Sequence, residues 1–314
     1  MNKQIEVSVS GAVTTLRFEE PKAGWEQWFL LMSDNHHDSI YCNRELETRH
    51  LEEAKKKNAK VFIFGDFFDA MQGRFDPRRT PEELRPEYHR SDYYDFVVKD
   101  TVEFMRPYAK NILLISDGNH EAAVKKNANT DLIERLVYAL RTECKSEVVH
   151  GGYGGWMKFN IGKHNKRLKY FHGAGAEAPV TRGAIQTNRQ AVYLADADVV
   201  VNGHNHHTYI IPIVKERLSD QGKMYFTIQY HVRTPGYKQS YGDGTAGWDV
   251  TKGGSPKPIG AIWMRMWYDA RSTPNNHQGE IKLDFIEAIE PPDPVSCVNG
   301  LYDGKEYDED SSGQ

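Results

Sequence analysis

The sequence predicts a single α/β domain built as a sandwich of strands flanked by helices. Three observations lead there. Apolar runs such as QWFLLM (27–32), KVFIF (60–64) and NILLIS (111–116) alternate with stretches of helical composition. That is the pattern of βαβ units and of a sheet buried on both faces. Four of the apolar runs break off at clusters of glycine, aspartate, asparagine and histidine. And although 314 residues suffice for two average domains, no linker rich in Gly, Pro or Ser divides the chain. Residues 1–290 are expected to form the domain, with loop excursions at 73–90 and 231–258, followed by an acidic polar tail, 291–314, that frays.

The elements follow in order. KQIEVSVSGAVTTLRF alternates and turns at Ser10-Gly11, a β-hairpin. QWFLLMSD is a continuous apolar strand ending at Ser33-Asp34, residues 42–58 read as helix, and KVFIFGD is the next buried strand. The excursion QGRFDPRRTPEELRPEYHR is punctuated by Arg and Pro and reads as a long functional loop. Residues 92–108 are helical in composition, and NILLISDGNHE returns to strand. Residues 130–142 read as helix, and GGYGGWMKFNIGKHNKRLKYFHGAG as a hairpin turning near Lys163–Arg167. Residues 182–195 read as helix and ADVVVNGHNHH as strand. TYIIPIVKERLSD, KMYFTIQYHVR, IGAIWMRMWYDA and GEIKLDFIEAI are the strands that close the fold.

At 39% hydrophobic and 27% charged residues, the composition is that of a globular chain able to bury a sizeable core. A formal net charge of −4 argues against a basic, duplex-coating protein but not against an enzyme that acts on nucleic acid. Cys42, Cys144 and Cys297 have no paired spacing and read as isolated thiols rather than a disulfide framework or zinc site. MNKQIEVSVSG lacks an apolar signal core, and no run approaches the ~18 residues of a membrane span. The expectation is a cytoplasmic protein with no membrane partner.

The strand-end clusters are SDNHHD (33–38), GDFFD (65–69), GNHE (118–121) and GHNH (203–206), with His172 of YFHGAG following a fifth strand. Singly, each has a plain structural reading: an Asp after a strand is most often a helix N-cap, and a lone His a satisfied buried one. Five coincident clusters are not explained that way. Ligands of α/β sheets bind beyond the carboxyl ends of the strands, so these segments are expected to converge in one crevice. Mixed Asp, Asn and His without Cys suits borderline-to-hard divalent ions. Two such ions ~3.5–4 Å apart clamp a phosphoryl oxygen and lower the pKa of a water, provided a carboxylate bridges them. Asp66 is placed for that.

At this point the pattern resembles the calcineurin-like metallophosphoesterases, from about residue 28 to 207, with all five motifs in family order. The resemblance implies a metallophosphoesterase β-sandwich flanked by helices, in four α/β/β/α layers. It also implies two divalent metal ions, Mn2+ favoured, with Fe, Zn or Ni as alternatives. By position, Asp34, His36 and His206 are implied as ligands of one metal, Asp66 as the bridge, and Asn119, His172 and His204 as ligands of the other. His120 resembles the family's catalytic histidine, which protonates the leaving oxygen or stabilises the transition state, and Asp69 would orient it by a hydrogen bond. Asp38 is read as a helix N-cap in preference to an acceptor behind the ligands.

Departures from the pattern narrow the activity. Protein Ser/Thr phosphatases carry an Arg after the second Asp of GDFFD and another before the glycine of GNHE; here those positions are Ala70 and Asp117. Purple acid phosphatases place a tyrosine ligand where Asp69 stands. The motifs look closer to repair nucleases and nucleotide phosphodiesterases, and the whole chain resembles uncharacterised phosphoesterases encoded by bacteriophages. The first expectation is therefore a phosphodiesterase or nuclease cleaving nucleic acid by attack of a metal-activated water. The alternatives are a hydrolase of a small nucleotide, cyclic nucleotide or phosphomonoester, and a catalytically silent binding protein. For substrate contacts, Arg74 is the best placed of the five arginines in 73–90, Tyr237 is a candidate stacking platform, and His231 is a further candidate beside the site.

Overall fold

A computed structural model describes residues 5–70, 76, 78–175, 181, 183–241, 248–271 and 279–292. Its first element is the hairpin β1 (Glu6–Ser10) and β2 (Val13–Phe18), turning at Gly11 with φ +55°. β3 (Glu26–Met32), α1 (Arg44–Lys56), β4 (Lys60–Phe64), α2 (Tyr93–Met105) and β5 (Ile112–Ser116) follow. Next come α3 (Asn119–Ala128), α4 (Leu132–Cys144), the two-residue β6 (Val149–His150), β7 (Gly154–Ile161), β8 (His164–Phe171), α5 (Ala184–Tyr193) and β9 (Val199–Asn202). The chain closes through β10 (Tyr209–Leu218), β11 (Met224–Arg233), the single turn α6 (Trp248–Thr251), β12 (Ile259–Asp269) and β13 (Glu280–Glu290).

The strands form a mixed α/β architecture of two sheets with helices. One sheet has six strands in the order β13-β12-β3-β4-β5-β6, the other seven in the order β1-β2-β7-β8-β9-β11-β10. Within the first, β3 to β6 run parallel, so each must be fed by a crossover, and α1, α2 and α4 supply the cover. That explains the continuous apolar runs: Val61, Phe62, Ile63 and Phe64 are all buried because β4 has helices on one face and the second sheet on the other. Phe29, Phe62, Phe64 and Phe159 fill the space between the sheets, while Leu46, Leu51, Val97, Leu136 and Leu140 pack the helices onto the outer face. The seven-stranded sheet is covered by α5, which buries only Thr187 and Gln190. Among the described residues no helix is long and apolar enough to cross a membrane.

Two local readings change. The β7–β8 hairpin turns at Gly162-Lys163, since Ile161 pairs with His164; the basic stretch 163–169 is therefore mostly strand rather than turn. A two-residue turn suffices because Gly162 takes φ +55°, which no side-chain count in the sequence reveals. And GNHE does not merely end a strand: Gly118 caps α3, whose first residue is Asn119.

Candidate metal centre

The loops that carry the candidate ligands are built on one another. SDNHHD lies along GDFFD through three backbone bonds: Asp34 N–H to Gly65 O, His36 N–H to Asp66 O and His37 N–H to Phe67 O, at 2.9, 3.1 and 2.8 Å. Glu121, fully buried, accepts the backbone N–H groups of Asp66, Phe68 and Gly118 and so locks GDFFD to the start of α3. From the other sheet, Gly203 N–H reaches His172 O at 2.8 Å, and His204 N–H donates to the Asp34 carboxylate at 2.9 Å. The approach is close enough to require glycine. A Cβ at Gly118 would overlap the Asp66 carboxylate, and one at Gly65, where φ is +88°, would stand 2.5 Å from His172 Nδ1.

Three groups of side chains result. Asp34, His36 and His206 present ligand atoms within 4.8 Å of one another, as do Asp66, His172 and His204, and His36, Asp66 and His120. Asp34 Oδ1 lies 3.4 Å from His206 Nε2, and Asp66 Oδ2 lies 3.1 Å from His172 Nε2 and 3.8 Å from His120 Nε2. Asn119 Oδ1 is 3.3 Å from His172 Nε2. Asp66 thus joins the groups, which converge where the carboxyl ends of β3, β4, β5, β8 and β9 meet between the two sheets. Nine non-glycine residues among those described have positive φ, and five of them are Asp34, His36, Asp66, His204 and His206. Such strain costs of order 1–3 kcal/mol per residue and collects at functional sites.

The arrangement is short of positive charge and fits metal ions. His172 Nδ1 donates to Phe64 O and His36 Nδ1 to Asp69 Oδ1, both at 2.8 Å, which turns each Nε2 toward the cluster. His204 Nδ1 and His206 Nδ1 are buried without a hydrogen-bond partner. Burial, reinforced by neighbouring cations, depresses both His204 and His206, the latter strongly, so their rings are neutral donors. Burial acts to raise the Asp66 carboxyl, yet the rings of His172, His120 and His36 outweigh it and hold Asp66 well below the usual range. His172 answers this: burial alone would lower it, but Asp66 and Asp34 push it up to about 10. A proton on His172 thus stands where a cation belongs.

The residues singled out from the sequence are not all brought here. Asp69 holds His120 through its backbone carbonyl, 2.6 Å from His120 Nδ1; its carboxylate is 3.4 Å away and bonds His36 instead. Asp38 is not a helix cap, since Asn43 caps α1. The Asp38 carboxylate is buried and accepts Asp69 N–H, Ala70 N–H and the Tyr93 hydroxyl, an organiser behind the ligands. Tyr237 is fully buried with its hydroxyl on His50 Nδ1 at 2.8 Å, so it has no face to offer a base. Its backbone N–H donates to Asp34 O. His231 is buried on β11 beside Gln229, away from the cluster, and burial lowers it to about 4. Arg74 lies outside the described residues.

Two residues were not anticipated. Lys238 reaches Asp69 Oδ1 at 3.1 Å and Glu83 Oε2 at 2.7 Å, tying the 73–90 excursion to the second motif. No local pattern announces it, because 169 positions separate Lys238 from Asp69. Glu121 does carry a signal, a Glu at the third position of a helix, the capping-box place.

Comparison with known families accords with this geometry. Residues 28–208 match the calcineurin-like phosphoesterase family, and the chain belongs to it. It is thus a metal-dependent phosphoester hydrolase by family, of a class that uses a dinuclear centre. No curated protein matches the sequence. Among solved structures, the chain is similar to a conserved uncharacterised protein of Streptococcus pneumoniae described as a predicted phosphoesterase, at 13% identity and TM-score 0.30, covering 83% of this chain and 99% of that one. It is also similar to a putative 5′-nucleotidase from Staphylococcus aureus, at 11% identity and TM-score 0.41, covering 88% of this chain and 58% of that one. At such scores these likenesses add nothing to the assignment, which rests on the family match.

Proposed function

We propose that the chain is a dinuclear phosphodiesterase whose substrate is a nucleic acid strand. One observation carries the preference for a diester: among the described residues, the cations beside the centre are already neutralised. Lys238 is paired to Asp69 and Glu83, and Lys257 to Asp249. The two positions where protein phosphatases carry arginine hold Ala70, fully buried, and Asp117, paired to His150 at 2.8 Å. A phosphomonoester brings two negative charges and asks for guanidinium groups to grip its terminal oxygens. A diester brings one.

Asp34, His36 and His206 would hold one metal, Asn119, His172 and His204 the other, and Asp66 both. Mn2+ is favoured for a donor set of carboxylate, amide and imidazole without thiolate. When bound, the ions supply Lewis acidity toward the phosphoryl group and a water of lowered pKa. The protein's part is to aim and to move a proton. His120 keeps its Nδ1–H on Asp69 O throughout, so Nε2 is the atom that delivers a proton to the departing oxygen and is left as a neutral ring still anchored. Glu121 and Asp38 hold the Asp66–Ala70 backbone in place while this happens.

The test is cleavage of end-labelled single- and double-stranded DNA in Mn2+, beside bis(p-nitrophenyl) phosphate and p-nitrophenyl phosphate. Strand and diester cleavage, lost in Asp66→Asn, is the expected result. Monoester hydrolysis alone, with metals bound, would transfer the activity to a small nucleotide or phosphomonoester.

A further inference from the structure

The β10–β11 hairpin outgrows its sheet. β9 pairs with β11 only over Tyr230–Arg233, so from Gln229 back to Met224, opposite Ile213–Leu218, the chain is a two-stranded ribbon with no third strand among the described residues. Residues directly opposite in an antiparallel pair share a face. One face therefore carries Val232 and Tyr230 inside the sandwich, then Ile228 with Val214, Glu216 with Phe226, and Leu218 with Met224 beyond it. Val232 is fully buried in the core between the sheets, and the Tyr230 ring lies 5.0 Å from Phe285. Outside, the same face is bare: Val214, Leu218, Met224, Phe226 and Ile228 are exposed by 64, 74, 55, 62 and 47%.

The other face is already covered. Gln229 donates to Leu194 O and Ala197 O, Lys215 to Ala191 O and Arg217 to Ala195 O, which pins the ribbon to the end of α5 and the turn that follows. Six of the thirteen exposed large hydrophobic side chains among the described residues belong to this one hairpin, five of them on the bare face. A two-stranded ribbon is marginal in water on its own, and a contiguous apolar patch of this kind marks an interface.

We infer that this face is a homodimer interface, in which the ribbons of two copies pack apolar face to apolar face about a two-fold axis. The occupant follows from area and from what the edge forbids. Five such side chains expose roughly 100 Å² each, so two copies bury about 1,000 Å² of apolar surface before any polar rim is added, which reaches the range of specific interfaces. Addition of a foreign strand to the edge is disfavoured, because β10 places Pro212, without an N–H, and Lys215, Glu216 and Arg217 along it. A flat apolar face needs an equally apolar, equally flat partner, and a second copy supplies one by symmetry. Glu216, the one charge on the face, sits on the outer strand and reaches solvent at the rim. β11 runs toward the metal centre and the bare part lies at its far end, so both centres stay open in the dimer. The inference is independent of the substrate proposed above.

Sedimentation velocity of the full chain over a range of concentration is the test. A dimer is expected, with Phe226→Glu or Ile228→Lys raising the dissociation constant at least tenfold while circular dichroism, thermal midpoint and Mn2+-dependent hydrolysis of bis(p-nitrophenyl) phosphate stay as in the parent. Val9→Glu, on an exposed site of β1, should leave the dimer intact. A monomer at about 100 μM overturns the inference, and so does a folded Phe226→Glu protein that remains dimeric. A monomer that cosediments with phosphatidylcholine–phosphatidylglycerol vesicles through Phe226 would assign the face to a lipid surface instead.

Discussion

Asp66 and His120 sit 3.8 Å apart and should fail in different ways when changed. Asp66→Asn removes the charge that His172, His120 and His36 converge on, so calorimetry should show lost Mn2+ binding. His120→Ala removes none of the proposed ligands; metals should stay bound while turnover falls by roughly 10²–10⁴, the range for a general acid–base group. Full activity of His120→Ala on a substrate with a poor leaving group would remove His120 from the reaction. Lys238 acts one step further out. Burial opposes its charge, but Asp69 and Glu83 hold the ammonium protonated, and it in turn, together with His36, keeps Asp69 ionised against burial. Lys238→Met should therefore weaken Mn2+ affinity by about 10–100-fold, the scale for groups that orient a ligand. Lys238→Arg should restore most of it. If Lys238→Met binds Mn2+ like the parent, Lys238 serves only to dock the excursion.

The strand and helix order was legible because continuous apolar runs have only one home, a sheet covered on both faces. The convergence of the candidate ligands was legible because five polar clusters follow five such strands. What stayed hidden depends on pairing between distant segments. Tyr237 sits in a loop rich in Tyr and Gly, yet residues 231–241 thread the interior and brace Asp34, so an apparent platform is a strut. Asp38 looks like a cap until α1 is found to begin at Arg44 under Asn43. The positive φ of five candidate ligand residues has no local sequence mark at all. His150 illustrates the same point on β6. It bridges Asp117, just before α3, and Glu134 of α4, each at 2.8 Å. Burial lowers it, but those carboxylates raise it to about 9. A raised histidine contributes stability that is fully present below its unfolded pKa, near 6.5, and is lost as pH climbs through 9. His150→Gln should cost about 1 kcal/mol in a denaturant titration at pH 6 and almost nothing at pH 10. An equal loss at both pH values would mean that His150 acts by packing and not by charge.

On the scale of the whole molecule, the centre joins two sheets whose facing interior is apolar. Asp34, Asp66 and Asn119 extend from β3, β4 and β5 of one sheet, while His172 and His204 extend from β8 and β9 of the other. Ions bound there are cross-links, so the metal-free protein should melt lower. Mn2+ at about 100 times its dissociation constant should add ~2.7 kcal/mol, a rise of several degrees for a chain of this size. The size of that rise should depend on pH in a definite direction. Without metal, the His172 proton, held to about 10 by Asp66 and Asp34, does part of the ion's work. Its contribution is complete below about 6.5 and drains away as pH rises toward 10. The Asp66 contribution runs the other way, present above the ordinary carboxylate range and lost only in acid. Between pH 6.5 and 9 the metal-free protein therefore loses stability through His172, and metal must displace that same proton to bind. The Mn2+-induced increase in thermal midpoint should grow steadily from pH 6.5 to pH 9 and stay flat in His172→Gln. An increment independent of pH in the parent would mean that the ion never meets His172, and the ligand set drawn from the second sheet would have to be redrawn around His204 and His206.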